Sequence, residues 1–138
     1  MLNKKNTVKN FNFIYFSIYK MVHRNIHGTA LNYCNRNKIT GYNRNGRCET
    51  FEDDTGTHIV CAVMTKRFLQ FTLSRGNDLI TPRRNFPGLV EGDVWCICAL
   101  RWIEAYKADS APPIIGDSTH EHFLDYVPKK IIEKYLTP

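Results

Sequence analysis

HIVCAVMTKRFLQFTLSRG (His58–Gly76), read together with VWCICAL (Val94–Leu100), decides the fold of this chain. His58–Met64 is continuously apolar with β-branched members, the pattern of a strand covered on both faces. Thr65 stands where a helix N-cap is wanted, and Lys66–Arg75 carries Phe68, Leu69, Phe71 and Leu73 as an apolar side. Gly76 then occupies the C′ position, where a left-handed residue closes a helix. Val94–Leu100 reads as a second buried strand, continuing as a helix over Arg101–Ala108 that stops before Pro112-Pro113. The expectation is an α+β fold: a small single domain, with a short mixed sheet and three to four helices.

The flanking segments are less regular. Ile39–Tyr42 and Arg47–Thr50 flank Asn45-Gly46, a dipeptide suited to a tight hairpin because both residues tolerate positive φ. Glu52–Gly56 is an acidic turn. Gly76–Gly92 is a loop of unusual length with Pro82, Pro87 and Gly88, and long ordered loops in compact domains are often functional. Ile114-Ile115 could add a short strand. Ser118 with Glu121 fits a capping box that opens a helix to about Tyr126, and Pro128 suits the first turn of a last helix, Lys129–Leu136.

The 138 residues suffice for one domain and leave no room for separate cofactor and substrate halves. No stretch approaches the roughly 20 apolar residues of a membrane-spanning helix. The net charge of +6 is unevenly placed: no acid precedes Glu49, so the basic excess belongs to the front third of the chain. From residue 49 onward the chain is mildly acidic, which weighs against a nucleic-acid surface on the folded part. Residues 1–22 combine Lys4, Lys5 and Lys9 with the aromatic run from Phe11 to Tyr19. They read as an N-terminal extension, disordered or targeting, ahead of a single α+β domain over residues 23–138. The expected compartment is the cytoplasm, or an organelle if that leader is a targeting signal.

Five cysteines, Cys34, Cys48, Cys61, Cys96 and Cys98, are an odd number, and without a convincing signal peptide they point to reduced thiols rather than a disulfide scaffold. On a strand, Cys96 and Cys98 would share a face. Cys61, Cys96, Cys98 and His58 are ligand types suited to zinc or iron, although their spacing is not that of familiar zinc motifs and buried cysteines usually just pack. His58 follows an acidic turn, where Asp54 could hold one ring nitrogen and leave the other free as a base. His120 is a second candidate base, at a helix start that disfavours the imidazolium. On the long loop, Arg75, Asn77, Asp78 and Thr81, with Arg83 and Arg84 nearby, could bind a small anionic ligand.

From Asn25 to about Tyr126 the chain resembles the domain of unknown function 2237 family. The segments that carry the likeness are TGYNRNGRC (40–48), EDDTGTHIVCAVMT (52–65), FLQFTLSRGNDLITPR (68–83), FPGLVEGDVWCICALRW (86–102) and APPIIGDSTHE (111–121). The resemblance implies a compact α+β fold, and it assigns no cofactor or catalytic residue. Lys66-Arg67 departs from the acids common at that place in the family, and residues 1–22 lie outside the likeness.

The expectation for function is a small-ligand- or metal-binding domain whose site gathers His58, Asp54, the Gly76–Pro82 loop and Cys96/Cys98, taking a small molecule or a zinc or iron ion. The alternatives are an enzyme with His58 or His120 as general base and a cysteine nucleophile, and a protein-interaction module anchored on Trp95, Trp102 and Phe86.

Overall fold

The structure, a computed structural model, describes residues 23–138. The leader over residues 1–22 lies outside the described residues. Two strands, β1 (Val60–Val63) and β2 (Val94–Ile97), pair antiparallel with Val60 opposite Ile97 and Cys61 opposite Cys96. Helix α1 (Lys66–Ser74) follows β1, helix α2 (Ala99–Lys107) follows β2, and a short α3 (Lys129–Glu133) lies near the C-terminus. Two 3₁₀ turns, Gly116–Ser118 and Glu121–Asp125, precede α3. Among the described residues the class is therefore α+β with three helices. The two strands form an antiparallel ribbon, and among the described residues parallel pairing is confined to one isolated bridge, Ile114 to Leu136.

Alternation along this ribbon explains why both runs are apolar throughout. Val60, Ala62, Trp95 and Ile97 face the main core, where Phe68 and Leu69 of α1, Trp102 of α2, Ile114, Phe123 and Ile132 pack with them. Trp102 is fully buried and donates its indole N–H to the Pro112 carbonyl. Cys61, Cys96 and Val94 belong to the other face. A strand covered on both sides has no polar half to show.

The chain before β1 covers that second face, and it does so without the expected hairpin. Residues 36–50 form turns and bends. Gly46 adopts φ 88° and donates its N–H to Thr40, but its carbonyl accepts from Cys34 and Asn35. Thr40 Oγ1 accepts from the Cys96 N–H, and Asn35 donates to the Val94 carbonyl. The polar groups that would knit two hairpin strands together are used to clamp the loop onto segment 34–35 and β2.

The cysteines correct the reduced-thiol expectation. Cys34 is bonded to Cys61 and Cys48 to Cys96, with Cα–Cα separations of 5.7 and 5.3 Å. An odd count requires only that one thiol be left over, and that one is Cys98. The bridges tie a layer almost without regular secondary structure to the ribbon, which two four-residue strands could not support alone.

Boundaries explain two further differences. Thr65 caps α1 as the sequence indicates, with Oγ1 accepting from Phe68 N–H at 3.0 Å, and Gly76 adopts φ 88° just beyond its end. In contrast, β2 stops at Ile97 and α2 begins at Ala99, so Cys98 is a helix N-cap and does not share a strand face with Cys96. The capping box at Ser118 is not formed. Ser118 donates to the Tyr33 carbonyl, and His120 caps the second 3₁₀ turn by accepting from His122 N–H.

Candidate active site

The turn 54–58 sets the geometry of the site. Asp54, whose side chain is fully buried, receives two hydrogen bonds from His58: the backbone N–H to Oδ2 at 2.9 Å and the ring Nδ1 to Oδ1 at 2.7 Å. The first fixes the turn and the second fixes the imidazole. Between them, Thr57 is held at φ 50°, an uncommon conformation for a β-branched residue. Its carbonyl accepts from Ala99 N–H at 3.0 Å, which brings the turn against the start of α2. Gly56 is obligatory for space: a Cβ there would lie 2.5 Å from His58 Cε1. Backbone strain of this kind, sustained by surrounding contacts, concentrates at functional sites.

This arrangement delivers His58 to Cys98. The Nδ1 bond to Asp54 leaves Nε2 as the free ring nitrogen on the cavity that Cys98 also lines. The Cys98 side chain beside the ring raises the His58 pKa from 6.5 to about 9, against the desolvation of a half-buried ring, and Asp54 adds to the rise. Tyr42 stacks on the other side, 6.4 Å away with the ring planes 17° apart. Buried carboxylate, imidazole and thiol thus stand in sequence, the constellation of an activated nucleophile.

His58 and Cys98 open into a cavity of about 450 Å³. Its apolar wall includes Trp95, Leu79 and Ile97, with Phe86 edge-on to Trp95 at 5.5 Å. Arg44, Arg83, Arg84, Asn77 and Asn85 supply the polar part, and no carboxylate lines it among the described residues. Arg44 lies over Trp95 and Arg83 over Phe86, so the aromatic wall also positions two of the guanidinium groups.

The other candidates fall elsewhere. His120 uses both ring nitrogens: Nδ1 accepts from His122 N–H, and Nε2 bonds His23 Nδ1 at 2.9 Å. Burial, with His23 and His122 beside it, lowers its pKa to about 4. Of the loop residues, Asn77 lines the cavity and also donates to Thr72, whereas Asp78 accepts from the N–H groups of Ile80 and Thr81 and so shapes the loop itself. Arg75 pairs with Glu104 at 3.5 Å, and Thr81 is exposed. The proposed metal set is split: Cys61 and Cys96 are disulfide-bonded, while Cys98 and His58 face the cavity. Trp95 and Trp102 are buried, which removes them as docking anchors. The sequence signal that would have singled out Cys98 was the odd cysteine itself.

The two shifted histidines give stability a two-sided pH dependence. His58 is raised above its unfolded value, so its protonated form stabilises the native state; that contribution is complete below pH ~6.5 and is lost as pH rises through about 9. His120 is lowered, so its contribution is lost as pH falls from ~6.5 toward about 4. Tyr42, raised above its ordinary 10.0 chiefly by Asp53, titrates beyond this window. Urea midpoints should therefore decline from neutral pH toward pH ~9.5, and His58→Asn should flatten that alkaline limb. Equal slopes in the two proteins would contradict the pairing.

A family profile described as an uncharacterized protein conserved in bacteria (DUF2237) matches residues 24–136. No curated protein matches the chain.

Proposed function

The chain belongs to the DUF2237 family of uncharacterized proteins conserved in bacteria, and on that premise we propose that it is a cysteine-nucleophile acyl hydrolase or acyltransferase acting on a small anionic substrate. The observation that carries this reading is the sequence Asp54, His58, Cys98 opening into a cavity. Asp54 is a positioning residue: it fixes the imidazole orientation and carries no proton in the reaction. The Cys98 proton rests on His58, whose ring stays protonated up to about pH 9, as the sulfur attacks the substrate carbonyl carbon and a C–S bond forms. The bond to the leaving group then breaks, and His58 returns the proton to that group. Water or an acceptor alcohol or amine cleaves the resulting thioester, with His58 as base, and restores the thiol.

The anionic character follows from the lining. Three arginines and two asparagine amides line the cavity and no carboxylate lies in its wall among the described residues; Arg83 is paired with Asp78 at 3.9 Å, which leaves Arg44 and Arg84 to give the lining its positive balance. A carboxylate or phosphate on the substrate would be drawn in and held by charge-assisted hydrogen bonds, while its acyl part lies on Trp95 and Phe86.

Paired alkylation rates test the nucleophile and the charge together. The oxidised full chain should be alkylated at Cys98 alone. Relative to free cysteine, iodoacetate should gain on iodoacetamide by about tenfold. The double variant Arg83→Ala/Arg84→Ala should lose most of that preference while still reacting with iodoacetamide. A Cys98 that resists both reagents would remove the nucleophile. Equal preference in native chain and variant would remove the anionic substrate alone.

A further inference from the structure

The four bridged cysteines offer a second chemistry, independent of Cys98. We propose that Cys34, Cys48, Cys61 and Cys96 form a redox-gated zinc site, in which reduction of the two disulfides creates a tetrathiolate that binds one ion, and oxidation expels it. The sulfurs of Cys34, Cys48 and Cys61 lie within 4.8 Å of one another, and Cys96 is bonded to Cys48, so all four gather in one place. A tetrahedral zinc with Zn–S bonds of ~2.3 Å separates its sulfurs by about 3.8 Å. Sulfurs of different bridges lie within about an ångström of that spacing, and each opened bridge, from a disulfide's ~2.05 Å, must spread by about 1.7 Å.

The surroundings suit a closed structural site. Cys48, Cys61 and Cys96 are at most 1% exposed, and the four cysteines with Val94 and Ile115 make a cluster distinct from the main core. Cys61 and Cys96 are held opposite each other by the ribbon register, with their N–H groups fixed by Thr119 and Thr40 hydroxyls. Cys34 and Cys48 come from loops, which can adjust to a change in bonding. A second observation concerns charge. Arg47, next to Cys48, lays its guanidinium over the Tyr33 ring, 4.0 Å from the centroid, and its buried Nε has no hydrogen-bond acceptor among the described residues. A zinc tetrathiolate carries two negative charges, which a cation on the residue next to a ligand would partly offset.

The chemistry balances with a thiol- or phosphine-class reductant. Each disulfide takes up two electrons and two protons to give two thiols. One Zn²⁺ then displaces the four thiol protons. In the reverse direction, two equivalents of a peroxide-class two-electron oxidant convert the four thiolates into two disulfides and release the ion.

The test uses the full chain, reduced with a phosphine and supplied with zinc chloride, then freed of excess metal for elemental analysis. About one equivalent should be retained, and under a tenth of that by the oxidised chain. Cobalt(II) added to the reduced chain should give the intense thiolate charge-transfer and tetrahedral ligand-field bands of four-sulfur coordination. Cys98→Ser should leave both readouts unchanged, whereas Cys34→Ser or Cys48→Ser should weaken retention at least tenfold. Because a ligand variant could misfold, the cobalt spectrum of the native sequence decides independently. No metal retained after reduction, an octahedral cobalt spectrum, or loss of binding in Cys98→Ser would overturn the proposal.

Discussion

Replacing His58 with Asn should slow acylation of Cys98 by an activated small ester by on the order of 10²- to 10⁴-fold at pH 7, the usual worth of a positioned proton-transfer group. Asn keeps a donor for Asp54, so the buried carboxylate is not left unpaired and the variant should still fold. Gly56→Ala makes the same point without touching a reacting group. Its Cβ would intrude on the ring and turn the imidazole away from Cys98. A displacement of an ångström is enough to cost about 10²-fold. Stopped-flow acylation with the two variants checks this. If Gly56→Ala acylates as fast as the native chain while folding normally, the ring is not acting on Cys98.

The second large effect is on stability. Converting Cys48 and Cys96 to Ala should destabilise the oxidised chain by roughly 4 kcal/mol, and converting Cys34 and Cys61 by roughly 3.5 kcal/mol, from loop closures of 48 and 27 residues. The loops overlap in sequence, so the two losses should not add. The molecular basis is the layer before β1, whose scant regular structure is fastened to the ribbon mainly by these bridges and a few side-chain clamps. Urea unfolding without reductant measures each cost. A loss below about 1 kcal/mol for either pair would mean that the layer holds by packing alone.

Much of the ribbon and of α1 was legible because local signals agreed there. Apolar runs of strand length, a Thr cap and a terminal Gly all placed the same elements. The contact between Asp54 and His58 was legible too, since a turn four residues long returns the chain onto its own carboxylate. Two features were not. VWCICAL has no local mark at its strand-to-helix boundary, because every residue in it suits either element. The boundary is set by Ala99 donating to Thr57, some forty residues earlier in the chain. Asn45-Gly46 does bend the chain, but the flanking backbone pairs with segment 34–35 rather than across the turn, and no local pattern encodes that choice. Disulfide partners are likewise a tertiary property: five cysteines with one left over allow fifteen arrangements of two bridges, and only folding selects among them.

The most direct measurement of the central claim is the site of acyl attachment. The oxidised full chain would be mixed with a carboxylate-bearing activated ester, mono-4-nitrophenyl succinate, quenched in acid, and mapped by peptide mass spectrometry. The account predicts a succinyl thioester on Cys98, absent from Cys98→Ala and strongly reduced in His58→Asn. Acylation confined to lysines, with Cys98 unmodified in the native chain, would contradict it.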